Sequence, residues 1–506
     1  MDAKLEKKLA KAKKEVVRGQ HKVAEEGFRE VVAADPQNAD AHLGLGFSLI
    51  ERGALDEAYG HLRTAYALRL DENTAYALGH VCTHLGKLDK AEKVLTQAME
   101  IAPYRSDILL AAIFAYEQGH KLDEAEATAQ RLLDHNPNNF SARHLMARIL
   151  RRQGKYEESL SYTELDGENK PPDLVELSWL YSERARCLEA VHRYDEAYQT
   201  YQAFAASQRA HYPDLEAEKH TARKAISTQK SKLDALSKSG PAPYFPYIGK
   251  SPAFIVGFPR SGTTLVESIL DSLELVTVSN EHSPVSFLQS RLNIKEGPHG
   301  LIGQDDYQFV EELRGEYWTL LRSKVEVPPG HLLVDKLPFN FVNIRLIHLL
   351  FPNAKILFIR RHPLDSVLSC FTQNFEINAY MSHFTSLEDS AHMYAHSMSV
   401  WRDALTVLNL DVHVTRYEDL VDDFKTQVRA LLAFLNLEWS DSLLTFHRHA
   451  ATRKINTPSY EQVTQGLYTT SRYRWKNYER QLRPIEKILE PFIDAFDYGE
   501  GDASQR

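Results

Sequence analysis

A chain of 506 residues, 43% hydrophobic and 25% charged, has the composition of a globular protein of about three domains or fewer. Its formal net charge of −9 is the wrong sign for a dedicated nucleic-acid binder. Cys82, Cys187 and Cys370 stand too far apart for a metal site or a disulfide frame, and read as buried apolar residues of a reducing compartment. No apolar run approaches a membrane span, and Met1 to Lys8 hold no apolar signal core, so the expected location is the cytoplasm.

Lys4, Lys7, Lys8, Lys11, Lys13 and Lys14, interrupted by Glu6 and Glu15, read as a solvated helix face. From there to about residue 205 the chain repeats itself. Gly19, Gly53, Gly86, Gly119 and Gly154 fall 34, 33, 33 and 35 residues apart. A small residue follows each at a nearly fixed offset (Ala24, Ala58, Ala91, Ala125, Ser159, and later Ala197), and Pro36, Pro103 and Pro137 close three of the units. Each unit reads as a helix hairpin. Glycine makes the turn, the small residue lets two helices approach, and proline stops the second. The pattern resembles a tetratricopeptide array of about six repeats, the last displaced by an insertion at Gly167 to Pro172. That resemblance implies an all-α superhelix whose groove takes a peptide or a partner protein, or else a scaffold and homodimer surface.

Ser237 to Pro243 breaks the helical pattern. The expected organisation is a repeat domain over 1–236, a linker over 237–250, a second domain over 251–498 and a disordered tail over 499–506. The second domain opens on Phe254-Ile255-Val256-Gly257-Phe258-Pro259-Arg260-Ser261-Gly262-Thr263-Thr264-Leu265, an apolar strand, a tight loop and an amphipathic helix. Glycines let the backbone approach an anion, and the N–H groups at the helix start point at it. Gly257, Gly262 and Thr264 fit the Walker spacing, but Thr263 stands where its lysine belongs and the cation has moved to Arg260.

Apolar runs then end at Val278, Lys336, Arg361 and Tyr417, separated by helical patterns such as Phe341 to Leu350 and Phe424 to Leu435. Strands without polar alternation, divided by helices, predict an α/β domain with a central parallel sheet, whose ligands bind beyond the strands' carboxyl ends. Arg260, Glu281, Lys336, Arg361 and Tyr417 collect there. A second anion motif, Arg361-His362-Pro363-Leu364-Asp365-Ser366-Val367-Leu368-Ser369, starts a helix at Pro363 and places Ser369 about two turns beyond Arg361. Together the two motifs imply a ligand with two separated anionic groups. His383, His392 and His396 lack a carboxylate pattern for metal and read as exposed helix faces.

Pro-Arg-Ser-Gly-Thr-Thr-Leu followed by Arg-x-Pro-x-Asp-x-x-x-Ser resembles the sulfotransferases, over about residues 250 to 480, closest to the tyrosylprotein sulfotransferases and their bacterial repeat-linked relatives. The resemblance implies 3′-phosphoadenosine 5′-phosphosulfate (PAPS) as donor and no metal. It implies that Arg260, Ser261, Gly262, Thr263 and Thr264 hold the 5′-phosphosulfate, Arg361 and Ser369 the 3′-phosphate, and Tyr417 and Arg474 the rest of the nucleotide. Glu281, 21 residues beyond Arg260, matches the catalytic glutamate, Lys336 a lysine near the bridging oxygen, and Ser459 a serine that assists transfer. Two departures, at Cys370-Phe371-Thr372-Gln373 and at Gly466, leave the acceptor open between a peptide tyrosine, a carbohydrate and a small hydroxylated molecule.

The chemistry is consistent with these residue types. Glu281 can take the acceptor's proton, while Arg260 and Lys336 can meet charge on the leaving phosphate. A phosphoryl-transfer enzyme is one rival, since Asp335 after an apolar run resembles a magnesium-holding aspartate. A non-catalytic tetratricopeptide adaptor is the other.

Overall fold

The computed structural model describes residues 3–165, 170–240, 242–297, 300–452 and 472–498, so Ser459 and the tail over 499–506 lie outside the described residues. Two compact units divide the chain, Met1–Thr200 and Tyr201–Arg506.

The first unit is a series of helix hairpins. α1 (Ala3–Val17) pairs with α2 (His21–Ala34), α3 (Ala39–Glu51) with α4 (Leu55–Leu68), and α5 (Glu72–His84) with α6 (Leu88–Ile101). α7 (Ser106–Gln118) pairs with α8 (Leu122–His135), α9 (Phe140–Arg152) with α10 (Tyr156–Tyr162), and α11 (Leu174–Ala190) is followed by α12 (Tyr194–His211). The small residues act as the repeat implied: Ala24, Ala58, Ala91, Ala125, Ser159 and Ala197 are all wholly buried. The lysines of α1 are exposed, and the three cysteines are free and buried.

The turns differ from expectation at one point. Gly19, Gly53, Gly86 and Gly154 turn with φ of 72°, 75°, 71° and 80°, but Gly119 has φ −79° and its neighbour His120 takes the left-handed conformation at φ 58°. His192 does the same at φ 61° in the sixth hairpin. The turn needs one left-handed residue, and histidine is among the side chains that tolerate it.

In the second unit α13 (Leu215–Ser239) ends at Gly240, whose φ is 101°. β1 (Ala253–Gly257) follows, then α14 (Thr263–Asp271), β2 (Val276–Val278), α15 (Val285–Glu296), α16 (Tyr307–Arg322) and β3 (Leu332–Lys336). The chain continues through α17 (Ile344–Leu350), β4 (Lys355–Arg360), α18 (Pro363–Phe371), α19 (Leu387–Val407), β5 (Asp411–Arg416), α20 (Tyr417–Asp422), α21 (Phe424–Leu435) and α22 (Phe446–Thr452). A last helix spans Glu479–Ala495.

The five strands form one parallel sheet in the order β2-β3-β1-β4-β5. β1, the centre, is buried along its whole length, and β5, at the edge, is mostly half-exposed or exposed. From β1 the chain runs to the edge at β2, returns to β3 beside β1, and then crosses to β4 and β5 on the other side, so the connections change sides at β1 and the crevice opens at its carboxyl end. Register completes the arrangement. Ile255 faces Lys336 on one side, and Gly257 faces Ile359 on the other, so the turns after β1, β3 and β4 leave from one edge.

His383 corrects an expectation. It lies in a short helical turn, Met381–Thr385, and is buried, which pushes its imidazole down to about 4 and leaves it neutral. His392 is exposed, as expected. Among the described residues no helix is long and apolar enough to cross a membrane.

Candidate active site

The loop between β1 and α14 turns on two left-handed residues, Arg260 at φ 66° and Gly262 at φ 105°. Glycine is required at 262 twice over, because a Cβ there would meet the Tyr417 ring at 2.7 Å. Gly257 is equally confined: a Cβ would lie 2.3 Å from the Ile359 carbonyl oxygen of the neighbouring strand. Ser261, Thr263 and Thr264 are buried at the helix start, and the Ser261 hydroxyl has no hydrogen-bond partner among the described residues. A buried hydroxyl left without a partner at a helix N-terminus is suited to an anion.

The second motif comes to the first. Arg260 Nε donates to Ser369 Oγ at 3.1 Å, and Arg361 Nη1 donates to the Arg260 carbonyl oxygen at 3.2 Å. The Arg361 guanidinium also lies 5.0 Å from the centre of the Tyr417 ring, and 3.5 Å from Asp365. Arg260, Gly262, Arg361, Ser369 and Tyr417 therefore form one surface.

α18 is started by two devices. Pro363 occupies its first position, and the His362 side chain accepts the Leu364 N–H at 3.2 Å. Burial, with Arg361 and Arg416 nearby, pushes the His362 imidazole down to about 3 and keeps it a neutral acceptor. A C-terminal stretch docks on this helix. Trp475 N donates to Asp365 Oδ1 at 2.8 Å, and the Trp475 indole stacks on His362 at 4.8 Å. That docking places Arg474 beside the end of α18, where Nη1 donates to Thr372 Oγ1 at 3.1 Å and Nη2 to the Tyr201 hydroxyl at 3.4 Å. A guanidinium thus reaches the Cys370 to Gln373 turn from elsewhere in the chain.

Beyond β3 lies a charge cluster. Lys336 Nζ has no exposed surface and sits 2.5 Å from Glu281 Oε1 and 2.9 Å from Glu267 Oε2. Burial alone would push the ammonium down, but the two carboxylates, Glu267 foremost, outweigh it and hold it above the usual lysine range. Glu281 follows Asn280 in two successive left-handed residues, φ 49° and 68°, and leaves its carboxylate about a third exposed at 34%. Ser279 fixes the turn, accepting the Lys336 N–H on its hydroxyl at 2.9 Å and donating its own N–H to Val334.

Asp335 faces the other way. It is wholly buried and accepts hydroxyl hydrogen bonds at Oδ2 from Tyr317 at 2.7 Å and Ser283 at 3.1 Å, and Asn340 Nδ2 donates to Ser283 in turn. Burial raises its carboxyl to about 7. A carboxyl so enclosed and so occupied is not disposed to hold magnesium beside the phosphate loop. The sequence reading did not include Glu267 in the site. A signal existed, since residues 263–270 of α14 are all buried and Glu267 is the one charged side chain among them.

The family model for the sulfotransferase family matches residues 252–441, and two tetratricopeptide-repeat models match residues 9–73 and 83–149. An uncharacterized protein of Aquifex aeolicus (strain VF5) is 30% identical over 251 residues, 48% of this chain and 32% of that protein. The protein-tyrosine sulfotransferase of Drosophila melanogaster is 24% identical over 273 residues, 49% of this chain and 54% of that protein. The chain therefore spans less than two thirds of either relative. Among solved structures, pilF of Pseudomonas aeruginosa is similar with a TM-score of 0.34 at 19% identity, over 41% of this chain and 92% of that one. The chain thus joins a stretch that matches the sulfotransferase family model, residues 252–441, to stretches that match tetratricopeptide-repeat models.

Proposed function

We propose that this protein moves a sulfuryl group from 3′-phosphoadenosine 5′-phosphosulfate to a hydroxyl acceptor. The observation that carries the reading is the meeting of the two anion motifs, Arg260 Nε on Ser369 Oγ with Arg361 on the Arg260 carbonyl, which makes one cationic surface from residues 101 and 109 positions apart. The donor fits this surface on three counts: the Ser261 hydroxyl, without a partner among the described residues, the Cβ-free approach at Gly262, and the guanidinium fork of Arg361.

When bound, PAPS supplies the activated sulfuryl group. Arg260, Ser261, Gly262, Thr263 and Thr264 hold its 5′ end, and Arg361 and Ser369 its 3′-phosphate, with Tyr417 and Arg474 completing the pocket. Glu281, the exposed member of the carboxylate pair, takes the proton from the acceptor hydroxyl. Lys336 keeps a cation where charge gathers on the leaving oxygen. Ser459 belongs to the same proposal.

A tyrosine hydroxyl on a peptide is the favoured acceptor, because relatives bearing that activity in their names match between 38% and 49% of the chain. The repeats then serve as the acceptor or partner surface, and free buried cysteines suit work in the cytoplasm. The test is transfer from radiolabelled donor into a peptide library, with Glu281→Gln beside the wild type. Label on tyrosine, reduced by about 100-fold or more in the variant at unchanged nucleotide affinity, is expected. Magnesium-dependent ATP hydrolysis without sulfate transfer would overturn the reading.

A further inference from the structure

We propose that Glu267 is a positioning residue, whose buried carboxylate keeps the Lys336 ammonium charged and in place independently of Glu281. Its purpose rests on the sulfotransfer reading; its geometry does not.

Glu267 is the fifth residue of the helix that begins at the phosphate loop, and its side chain is 4% exposed against 34% for Glu281. One oxygen lies on Lys336 Nζ, and the other has no hydrogen-bond partner among the described residues. Burial pushes the Glu267 carboxyl above its ordinary range, and the Lys336 ammonium is the chief group opposing that rise. Glu267 thus touches from within the fold the same ammonium that Glu281 meets from the solvent side. A buried carboxylate among Leu265, Val266, Ile269 and Leu270 is costly unless a cation answers it, so the ammonium has reason to stay.

The two carboxylates differ in what they can meet. Glu281 faces solvent and can be neutralised by an acceptor's proton, which loosens its hold on the ammonium. Glu267 is enclosed and is not reached by that proton. Lys336 therefore remains cationic through the step in which a cation is needed.

Acetylation by an N-hydroxysuccinimide ester of the protein without nucleotide, read lysine by lysine by mass spectrometry, tests this. Lys219 and Lys232 are buried in the same unit on other partners and serve as controls. In Glu267→Gln, acetylation of Lys336 is expected to rise about tenfold with both controls unchanged, the effect of roughly one unit in the amine's pKa. An unchanged Lys336 overturns the proposal. A rise at all three lysines does so too, because it marks a merely structural role. If that variant fails to fold, Glu267→Asp, which withdraws the charge by one methylene, is expected to give a smaller rise confined to Lys336, and no rise overturns the proposal. Because no donor is used, failure here leaves the sulfotransfer reading standing, whereas absent nucleotide binding by the wild type strikes that reading alone.

Discussion

Replacing Asp335 by asparagine isolates one buried charge. The carboxyl titrates at about 7 in the folded protein, because burial opposes its ionisation more than the Tyr317 and Ser283 hydroxyls favour it. An unfolded aspartate titrates at about 3.9. The native state therefore holds this proton more tightly, and the stability it contributes is present in acid and lost as pH rises from about 4 to about 7. Between about pH 5 and about pH 8 the change is close to two pK units, or about 3 kcal/mol at ~1.36 kcal/mol per unit. Asparagine keeps an oxygen to accept both hydroxyls and adds a buried amide, a cost that is the same at every pH. Urea unfolding followed by tryptophan fluorescence reads the second unit, which carries Trp318, Trp401, Trp439 and Trp475 against Trp179 in the first. The variant is expected to gain about 3 kcal/mol relative to the wild type between those two pH values. A difference between variant and wild type that is flat with pH would refute the reasoning.

Gly262→Ala places a Cβ 2.7 Å from the Tyr417 ring on a backbone at φ 105°, so it should destabilise the second unit by about 1–3 kcal/mol and weaken nucleotide binding, both measurable on one sample. Arg345 grips the wholly buried Glu296 with two hydrogen bonds of 2.8 and 2.7 Å, so Arg345→Met, which strands that carboxylate, should cost about 3–5 kcal/mol of unfolding free energy. Lys232, whose Nζ is 3.4 Å from Glu296, is expected to soften that loss, and a double-mutant cycle measures by how much.

What the sequence showed in advance was what short-range signals carry. Helix hairpins were readable because a glycine and a small residue recur about every 34 residues and a proline closes three of the units, and the phosphate loop because strand, turn and helix are contiguous. Contacts that depend on register were not readable. Lys336 meets Glu267 only because β3 pairs with β1, which sets the end of one strand beside the helix that follows the other. Arg474 reaches Thr372 because Trp475 docks on Asp365 and His362, a fit with no periodic trace. His392 and His396 lie four residues apart on α19, but His383 belongs to the short turn before that helix, a break the spacing does not reveal. Glycine is the usual turn residue, yet beside Gly119 the backbone puts the left-handed conformation one residue later, on His120.

The central claim is a pocket cationic at both ends, and calorimetry with adenosine 3′,5′-bisphosphate against AMP tests it most directly. With Arg361 and Ser369 as the proposed partners of a 3′-phosphate, the bisphosphate is expected to bind at least about tenfold more tightly, since hydrogen bonds to a charged group are worth roughly 1.5–3 kcal/mol. Equal affinity for the two nucleotides would contradict the account.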